Sequence, residues 1–430
     1  MPTFIELGVP RDITDFLARH GVTTPFPIQA ATIADAMAGR DLCGRAPTGS
    51  GKTLAFSIPL AVNGRKGGPR RPGSLVLVPT RELAAQVARE LRPLAELHGR
   101  SVATFYGGTS IAADQRSLRR TVDIAIACPG RLADLVRRGD ADLRAVRTIV
   151  VDEADRMADM GFLPEVKRLL DQTAADRQTL LFSATLDGDV DVLIRDYQRD
   201  PIRHELAASH EDCADVRHFF WRAASNERVG IARDIVLAAA PAIVFTRTKH
   251  TADRVAKALN RQGVRVAVIH GNRSQSQRER ALADFSSGRV AALVATDVAA
   301  RGIHVDNVGA VVHFDPPATG KDYLHRSGRT GRAGANGVVV TLVAPDKVGD
   351  VKSLQRALAL RQHVDKTALH LLTDGTSGVS LNPADTGPRA RSQDRGPQPP
   401  RNGRARSGQP PFSGRKRRNS RVRPRAAAGR

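Results

Sequence analysis

Two short segments carry the residue types that nucleoside triphosphate hydrolysis requires. The first is Gly49-Ser50-Gly51-Lys52-Thr53, and the second is Asp152-Glu153-Ala154-Asp155, which directly follows the apolar run Thr148–Val151. A glycine-rich turn that opens a helix offers phosphates backbone N–H groups and the positive end of the helix dipole. An Asp at the end of a buried strand can hold Mg²⁺ beside those phosphates, and an adjacent Glu can activate a water. Together the two segments predict an NTP hydrolase.

Four side chains in these segments have distinct predicted roles. Lys52 is expected to bind the β and γ phosphates, and Thr53 is expected to ligate Mg²⁺ together with Asp152. Glu153 is expected to activate the water that attacks the γ phosphate. The strict phosphate-loop pattern has glycine at position 46, where this chain has Ala46. Only a small residue is needed there, so the departure changes the prediction little.

The elements that must position these segments are recognisable as apolar runs separated by helical stretches. Continuous runs rich in Val, Ile and Leu are typical of buried parallel strands. We therefore predict an α/β protein with two tandem domains, each a parallel sheet flanked by helices. The predicted strands are residues 75–78, 123–128, 148–151 and 179–182 in the first half, and 242–245, 264–269, 291–295, 310–314 and 338–343 in the second.

The pattern of apolar runs is interrupted twice, and these interruptions give the predicted domain boundaries. The first interruption falls near residues 206–214, so we predict domains at residues 1–207 and 208–370. Beyond about residue 370, Gly, Pro, Arg, Ser and Gln dominate and no apolar period survives. Such a segment cannot bury enough surface to order itself, so residues 371–430 are predicted to be a disordered tail.

The charge of the chain indicates a polyanionic partner. The net charge is +22 over 430 residues, and residues 378–430 contribute +12 of it, from 14 Lys and Arg against two Asp. Nucleic acid is the first candidate and anionic lipid is the second. No amphipathic basic helix with an aromatic face supports the lipid alternative. The tail is therefore predicted to tether nucleic acid without sequence preference, the alternative being a basic end that only aids solubility.

Other features narrow the expected environment. The sequence has no run of 18 or more apolar residues, and its N-terminus lacks the basic and apolar regions of a signal peptide. We therefore expect a soluble, cytoplasmic protein with no membrane partner. Cys43, Cys128 and Cys213 lack metal-like spacing, so neither a disulfide framework nor a zinc site is predicted.

Taken in order, the motifs over roughly residues 1–345 resemble those of the DEAD-box family of ATP-dependent RNA helicases, of the bacterial type with a basic C-terminal tail. The resemblance implies two RecA-like domains with ATP, Mg²⁺ and RNA bound across the cleft between them. In the first half the matching segments are residues 21–29 (GVTTPFPIQ), 46–53, 79–84 (PTRELA), 107–108, 129–131 (PGR), 152–155 and 183–185 (SAT). In the second half they are residues 244–246, Gln275 with Arg278, 296–297 with 300–302, and 325–332 (HRSGRTGR).

The resemblance also assigns nucleotide contacts. Gln29 can both donate to and accept from the adenine edge, a pattern that guanine does not satisfy. Phe4 occupies the place of an upstream aromatic near the base, with ordinary core packing as the alternative, and the commonly aromatic position 22 is Val22. The predicted ATP contacts are Phe4, Gln29, Thr48, Gly49, Ser50, Gly51, Lys52, Thr53 and Asp297.

Residues of the second domain are expected to complete the reaction. Arg329 and Arg332 resemble arginine fingers that stabilise the charge on the γ-phosphoryl oxygens in the transition state. The hydroxyls of Ser183 and Thr185 can bridge Asp155 to His325 and so couple ATP to RNA, the alternative being a plain Ser/Thr turn. Hydrolysis is therefore predicted to require closure of the cleft.

The predicted RNA contacts are small, polar or basic, which suits phosphate and 2′-OH groups rather than base edges. We expect binding that is largely independent of sequence and, by the family analogy, local strand separation without long translocation. These contacts are Pro79, Thr80, Arg81, Gly108, Pro129, Gly130, Arg131, Thr246, Gln275, Arg278 and Thr296.

Three functions are compatible with this pattern to different degrees. The leading one is an RNA-dependent ATPase that unwinds short RNA duplexes and remodels ribonucleoprotein, acting as a monomer in ribosome assembly, RNA decay or cold adaptation. The alternative is an ATP-gated RNA clamp or an annealing chaperone that acts mainly by binding. A DNA helicase is disfavoured by the adenine-reading segment and by Asp152–Asp155.

Overall fold

Parallel strands and helices alternate along the chain and build two sheets, as predicted. The computed structural model describes residues 2–47, 49–186, 188–206, 216–300, 308–331, 336–372 and 379–380. The first sheet and its helices, ending at Glu205, are called lobe 1, and the second sheet and its helices, beginning at Val216, are called lobe 2.

Lobe 1 is a seven-stranded parallel sheet with strand order β3-β4-β2-β5-β6-β1-β7. Its strands are β1 Leu42–Arg45, β2 Ser74–Leu77, β3 Val102–Phe105, β4 Ile124–Ala127, β5 Thr148–Asp152, β6 Gln178–Ser183 and β7 Ile202–Glu205. Its helices are α1 Arg11–Arg19, α2 Pro27–Met37, α3 Lys52–Asn63, α4 Arg81–Leu97, α5 Ile111–Leu118, α6 Pro129–Arg137, α7 Ala154–Asp159, α8 Leu163–Leu170 and α9 Asp189–Tyr197.

Lobe 2 is a second seven-stranded sheet, with strand order β10-β11-β9-β12-β13-β8-β14. Its strands are parallel except for the last, which runs antiparallel to its neighbour. The strands are β8 Val216–Arg222, β9 Ala242–Thr246, β10 Val266–Ile269, β11 Ala292–Thr296, β12 Ala310–His313, β13 Gly337–Val343 and β14 Val379–Ser380. The helices are α10 Arg228–Ala238, α11 Lys249–Arg261, α12 Gln275–Ser286, α13 Asp297–Ala300, α14 Gly320–Ser327 and α15 Val348–Ala357, with 3-10 turns at Pro345–Lys347 and Leu369–Leu372.

Each sheet has an apolar cluster on both of its faces, because successive side chains of a strand point to opposite sides. In β2, for example, Val76 packs into one cluster while Leu75 and Leu77 pack into the other. The same division occurs in lobe 2, where Val244 and Ile243 of β9 lie in different clusters. This two-sided burial explains why the central strands are continuous apolar runs.

The two sheets have the same strand order, so lobe 2 repeats the topology of lobe 1 with β8 in the place of β1. The loop after β1 contains the glycine-rich segment and leads into Lys52 at the start of α3. The corresponding loop of lobe 2, residues 223–227, contains no glycine and leads into Arg228 at the start of α10. Arg228 forms an ion pair with Asp315, just after β12, at 3.1 Å. The repeat therefore preserves the scaffold without the phosphate-binding loop.

The described structure of lobe 2 continues to residue 372, two residues beyond the predicted end of the second domain. Leu369–Leu372 forms a 3-10 turn, and Leu372 is buried in the apolar core of lobe 2. The guanidinium of Arg217 donates to the carbonyl oxygens of Leu371 and Leu372 at 2.7 and 2.8 Å. Leucine packing and these hydrogen bonds order a segment that composition alone assigns to the tail. Residues 373–378 and 381–430 lie outside the described residues, as does the predicted domain boundary between residues 207 and 208.

None of the helices that the structure describes has both the length and the apolar character that a bilayer span requires.

A buried polar cluster lies beneath α14, the helix that carries His325 and Arg326. Nδ1 of His218 on β8 lies 2.7 Å from the hydroxyl of Tyr323, and the ring of His313 meets the same tyrosine edge-on at 4.9 Å. Burial lowers the pKa of His218 to about 4, and it also lowers the pKa of His313 well below the ordinary value. Both histidines are therefore neutral in the folded protein at neutral pH.

This cluster predicts that lobe 2 loses stability in mild acid. The unfolded chain binds a proton at His218 below about pH 6.5, whereas the folded chain does so only near pH 4, so the free energy of unfolding falls as the pH drops through this window. Between pH 7 and pH 5 we expect a loss of about 2 kcal/mol from His218. Urea unfolding followed by Trp221, the single tryptophan and a buried β8 residue, measures it.

The matched variants are His218→Gln and His250→Gln, the latter at an exposed position on α11. His218→Gln should lose less stability than the parent between pH 7 and pH 5, because glutamine does not titrate there. His250→Gln should behave like the parent. An undiminished pH effect in His218→Gln would contradict the assignment.

Candidate nucleotide and RNA site

The glycine-rich loop connects β1 to α3 and adopts a conformation that requires glycine. Gly49 and Gly51 have φ values of 93° and 84°, in the left-handed region. A Cβ on Gly51 would lie 2.4 Å from Nε2 of Gln29 and 2.7 Å from Cδ2 of Phe26. The loop thus packs too closely for a side chain and ends at the N-terminus of α3, where backbone N–H groups can bind phosphate. Thr48 lies outside the described residues.

Lys52 is poised inside this loop. Its side chain is buried, and Nζ donates to the carbonyl oxygens of Ala46 and Pro47 at 2.7 and 3.3 Å. A phosphate oxygen is a stronger acceptor for an ammonium than a carbonyl oxygen, so the lysine is placed to exchange these partners for phosphate. The small side chain of Ala46 is itself buried, which agrees with the need for a small residue there.

Asp152 and Glu153 stand at the carboxyl end of β5. Oδ1 of Asp152 accepts from the backbone N–H of Glu153 at 2.9 Å. Burial raises the pKa of Asp152 to about 7, while the charge of Lys52 acts to lower it. Glu153 has φ of 53°, rare for a residue other than glycine, and its carboxylate pairs with Arg156. The unusual backbone holds the Glu153 side chain at the strand end beside the phosphate loop.

The residues at this edge fit a magnesium ion bound together with nucleotide phosphates. Mg²⁺ commonly takes only one or two protein ligands and completes its shell with water and phosphate. Within the described ranges, no group of three or more His, Cys, Asp or Glu forms a metal cage. Asp152 is a buried carboxylate with a raised pKa, and it lies near Thr53 at the start of α3. This position fits such an ion, and the positive charge of the ion would keep the carboxylate ionised.

Gln29 joins the adenine-reading segment to the phosphate loop. Its Oε1 accepts from Phe26 N at 2.9 Å, and its Nε2 donates to Gly51 O at 3.0 Å. One amide N–H and one oxygen lone pair remain for a base edge. The ring of Phe26, 54% exposed, lies against Gly51 and offers a flat surface beside Gln29. Sequence reasoning passed over Phe26, although it is the aromatic residue within that segment.

Phe4 lies in the apolar core of lobe 1. It is only 4% exposed and belongs to the same cluster as Leu7, Val9 and Ile13. Val22 packs against that cluster as well. Of the two alternatives considered for Phe4, the structure displays the packing role, and a contact with adenine stays a prediction.

The RNA candidates of lobe 1 follow the carboxyl ends of β2, β3 and β4. Oγ1 of Thr80 caps α4 by accepting from Leu83 N at 3.3 Å. The guanidinium of Arg81 packs so closely on Gly108 that a Cβ there would lie 2.2 Å from Nη1. Arg131, on α6 beside Pro129 and Gly130, donates to Asp114 Oδ2 and to Thr109 O, each at 2.8 Å. Arg131 thus braces the loop after β3 from within lobe 1.

The RNA candidates of lobe 2 occupy equivalent strand ends. Thr246 ends β9 and Thr296 ends β11, while Gln275 begins α12. Thr246 is fully buried as a whole residue, so its contact with RNA stays a prediction. Arg278 forms an ion pair with lobe 1 that the sequence does not predict: its Nη2 lies 2.9 Å from Oε1 of Glu82.

The pair of Glu82 and Arg278 is a buried contact between the lobes. The two side chains are 4% and 9% exposed. Burial raises the pKa of Glu82, and the charge of Arg278 opposes that shift. A buried ion pair is costly to break on one side, because the remaining charge stays desolvated. A second contact between the lobes joins Lys321 to Asp159.

Helix α14 brings its polar residues toward the strand ends of lobe 1. Burial lowers the pKa of His325, and the nearby charges of Arg156 and Asp155 act on it too, so this histidine lies close to the end of β5. Arg326 binds Asp297 through both guanidinium ends, at 2.6 and 2.7 Å. Asp297, expected near ATP, thereby anchors α14. Arg329 is buried, and Arg332 lies outside the described residues.

The predicted coupling residues are partly assembled. Ser183 ends β6, and its hydroxyl accepts from the backbone N–H of Asp155 at 3.2 Å. Thr185 is half-buried two residues further on. Ser183 thus links β6 to the segment after β5, while the bridge onward to His325 stays a prediction.

Comparison with known proteins agrees with this geometry. The model described as DEAD/DEAH box helicase matches residues 26–193, and the helicase conserved C-terminal domain matches residues 231–334. The DEAD-box ATP-dependent RNA helicase CshA of Geobacillus kaustophilus is 38% identical over 83% of this chain and 76% of its own length. This chain belongs to the DEAD-box family of ATP-dependent RNA helicases. DEAD-box ATP-dependent RNA helicase 30 of Arabidopsis thaliana is also 38% identical, over 92% of this chain and 68% of its own.

Solved structures share the fold of this helicase. Mss116p bound to ssRNA and AMP-PNP is 26% identical, with a TM-score of 0.72 over 85% of this chain and 79% of that one. S. cerevisiae Dbp5 bound to RNA and ADP BeF3 is 24% identical, with a TM-score of 0.74 over 87% and 98%. The two parallel sheets are thus tandem RecA-like domains, and the protein is an ATP-hydrolysing RNA helicase.

The residues predicted to carry out hydrolysis lie in both lobes of this helicase. The loop before α3 and Lys52 would bind phosphates, and Glu153 would orient the attacking water. Bound Mg²⁺ would neutralise phosphate charge, held by Thr53 and Asp152. Arg329 belongs to lobe 2, so its guanidinium can serve the reaction only when the lobes meet.

The buried contact between Glu82 and Arg278 predicts coupled effects of mutation. Glu82→Gln and Arg278→Gln should each lower RNA-stimulated ATP hydrolysis at saturating RNA by about tenfold or more, because each leaves one desolvated polar group unpaired. The double variant should be no worse than the poorer single variant. Steady-state ATP hydrolysis of the four proteins completes the cycle.

Arg280→Gln, an exposed position on the same helix, is the matched control and should retain the parent rate. If Arg278 only binds RNA, Glu82→Gln should have the parent rate, and the double variant should have the same rate as Arg278→Gln. That result would remove the closure role.

Proposed function

We propose that this helicase separates short RNA duplexes locally, by closing its two lobes around ATP and one RNA strand. The observation that carries the proposal is the division of the reaction between lobes: the phosphate loop lies in lobe 1, and Arg329 lies in lobe 2. The buried pair of Glu82 and Arg278 supports a closed arrangement that forms as a unit. ATP hydrolysis would then reset the lobes and release RNA.

The character of the RNA contacts supports recognition of the strand backbone. Thr80, Arg81, Gly108 and Thr296 are small, polar or basic, and such residues suit phosphate and 2′-OH groups. Single-stranded RNA is the bound nucleic acid in the Mss116p structure. Binding independent of base sequence fits an enzyme that acts on many short duplexes.

Several further features belong to the same proposal. Mg²⁺ would accompany ATP at Thr53 and Asp152, and the basic residues 378–430 would tether RNA nonspecifically. The protein would act as a monomer in the cytoplasm, on ribosomal precursors or in RNA decay. The composition and the absence of membrane-like segments in the sequence support that location.

A clamp that acts mainly by binding is the second candidate. The buried pair between the lobes favours a clamp, because lobes held closed by this pair could retain RNA without hydrolysis. The two functions differ in their need for turnover, since a clamp or annealing chaperone does not require hydrolysis for each event.

Replacement of the water-activating carboxylate tests the proposal. Glu153→Gln keeps the shape of the side chain but removes the base, so ATP turnover should fall by about 100-fold or more. Binding of RNA in the presence of ATP should be retained, and duplex release should stop. Radiolabelled ATP hydrolysis and a fluorescent duplex-separation assay measure both effects.

Glu96→Gln, at an exposed position on α4, is the matched control and should retain full turnover. Normal turnover in Glu153→Gln would show that another group activates the water. The parent should respond to single-stranded RNA and not to DNA of the same sequence. Equal stimulation by both would refute the RNA assignment, and strand annealing without ATP-dependent separation would favour the clamp or chaperone.

A further inference from the structure

A concentration of arginine lies at the edge of lobe 1 opposite the nucleotide site. The loop between α3 and β2, residues 64–73, carries Arg65, Arg70 and Arg71, and the turn between α5 and β4 carries Arg119 and Arg120. These five exposed residues are called the basic patch. They precede the amino ends of β2 and β4, whereas Thr80 and Arg131 follow the carboxyl ends of the same strands.

The two segments of the basic patch are fixed side by side by backbone contacts. Pro69 pairs with Thr121 in an antiparallel bridge. Arg70 N donates to Leu118 O at 2.6 Å, and Arg70 O accepts from Asp142 N at 2.8 Å. Arg70 holds these bonds with φ of 62°, in the left-handed region. The arginines therefore cannot spread apart through loop motion without breaking this pairing.

Among the described residues, a carboxylate pairs with one member of the basic patch, Arg71, and leaves the other four arginines without an acidic partner. Asp142 pairs with Arg71 at 2.9 Å and with Arg144 at 2.8 Å. Asp123 is buried and accepts from the backbone N–H groups of Gly67 and Ser101. In the described part of the chain, Arg65, Arg70, Arg119 and Arg120 have no acidic partner.

Crowding of like charges on adjacent segments is unfavourable unless an anion neutralises them. The chemistry of the patch favours phosphate. Each guanidinium presents a planar fork of donors that matches phosphate oxygens in a bidentate manner. The large apolar side chains exposed on the described surface lie outside these two segments: they are Ile5, Phe26, Leu97, Leu237 and Leu324. A surface without apolar anchors suits a nucleic-acid backbone better than a membrane.

The distance to the cleft is short enough for one RNA molecule to reach both sites. Strands β2 and β4 are four residues long, so the two edges of the sheet are about 13 Å apart along the strands. A strand that leaves the carboxyl edge can therefore fold over lobe 1 within several nucleotides. We propose that the basic patch binds the phosphates of RNA flanking the segment held in the cleft, as a second, sequence-independent contact surface.

The test compares RNAs of two lengths on the full chain. The patch variant combines Arg70→Gln, Arg119→Gln and Arg120→Gln. Its affinity for RNA of about 40 nucleotides should fall by about tenfold, and the slope of log affinity against log salt should flatten by about 2. Its affinity for an oligonucleotide of about 8 nucleotides, which fills only the cleft, should stay unchanged. ATP turnover at saturating RNA should also match the parent. Fluorescence anisotropy measures the affinities.

The control variant removes three dispersed positive charges through Arg11→Gln, Arg19→Gln and Arg261→Gln, all at exposed positions. It separates a local contact from the effect of net charge. Equal losses in the patch and control variants on long RNA, or an equal loss on both RNA lengths in the patch variant, would overturn the proposal. Retained RNA affinity with reduced binding to phosphatidylserine-containing vesicles would assign the patch to anionic lipid instead. Failure of the patch proposal would leave RNA-dependent ATP hydrolysis intact.

Discussion

Parallel pairing of strands is the constraint on which the remaining structure depends. Each parallel strand must be followed by a crossover, so all loops that leave the carboxyl ends emerge at one edge of the sheet. In lobe 1 this rule gathers the phosphate loop after β1, Thr80 after β2 and Asp152 at the end of β5. Residues far apart in sequence meet there because their strands are neighbours in the sheet, as β2 and β5 are. The amino edge is left free for other surfaces, and the basic patch occupies it.

The second constraint is that some of the predicted reactive groups belong to the other sheet. Arg278 reaches Glu82 in a contact from which water is largely excluded. Helix α14 is anchored to its own lobe by two of its residues, Arg326 bound to Asp297 and Tyr323 bound to His218. In the proposed closure, these anchors would make His325 and Arg329 move together with lobe 2.

The sequence predicts the parts of the fold whose burial is two-sided. All nine predicted strands occur in the sheets, because continuous apolar runs such as residues 148–151 leave little choice of structure. Five described strands, β1, β3, β7, β8 and β14, were not predicted, and three of them have mixed composition. Strand β8 contains Arg217 and Arg222, β7 alternates between half-buried and exposed residues, and β1 contains Gly44. Their pairing is decided by neighbours in space rather than by their own residues.

In the candidate site, too, local sequence predicts some features and the tertiary fold determines the others. Glycine spacing and the position of Asp152 after an apolar run locate the phosphate site, because local backbone chemistry imposes them. The partners of Arg278, Arg131 and Asp297 could not be foreseen, since each ion pair joins segments that only the tertiary fold brings together. For Phe4 the sequence left two alternatives open, and the structure shows its core packing while a contact with adenine stays a prediction.

The lobes share a strand order but differ in the loop that would bind phosphate. The loop after β1 contains glycines, whereas in the matching corner of lobe 2 the ion pair between Arg228 and Asp315 occupies the places of Lys52 and Asp152. Of these two matching loops, the one in lobe 1 therefore has the features of a nucleotide site. In the proposed cycle of closing and opening, this asymmetry would make each closure use a single molecule of ATP.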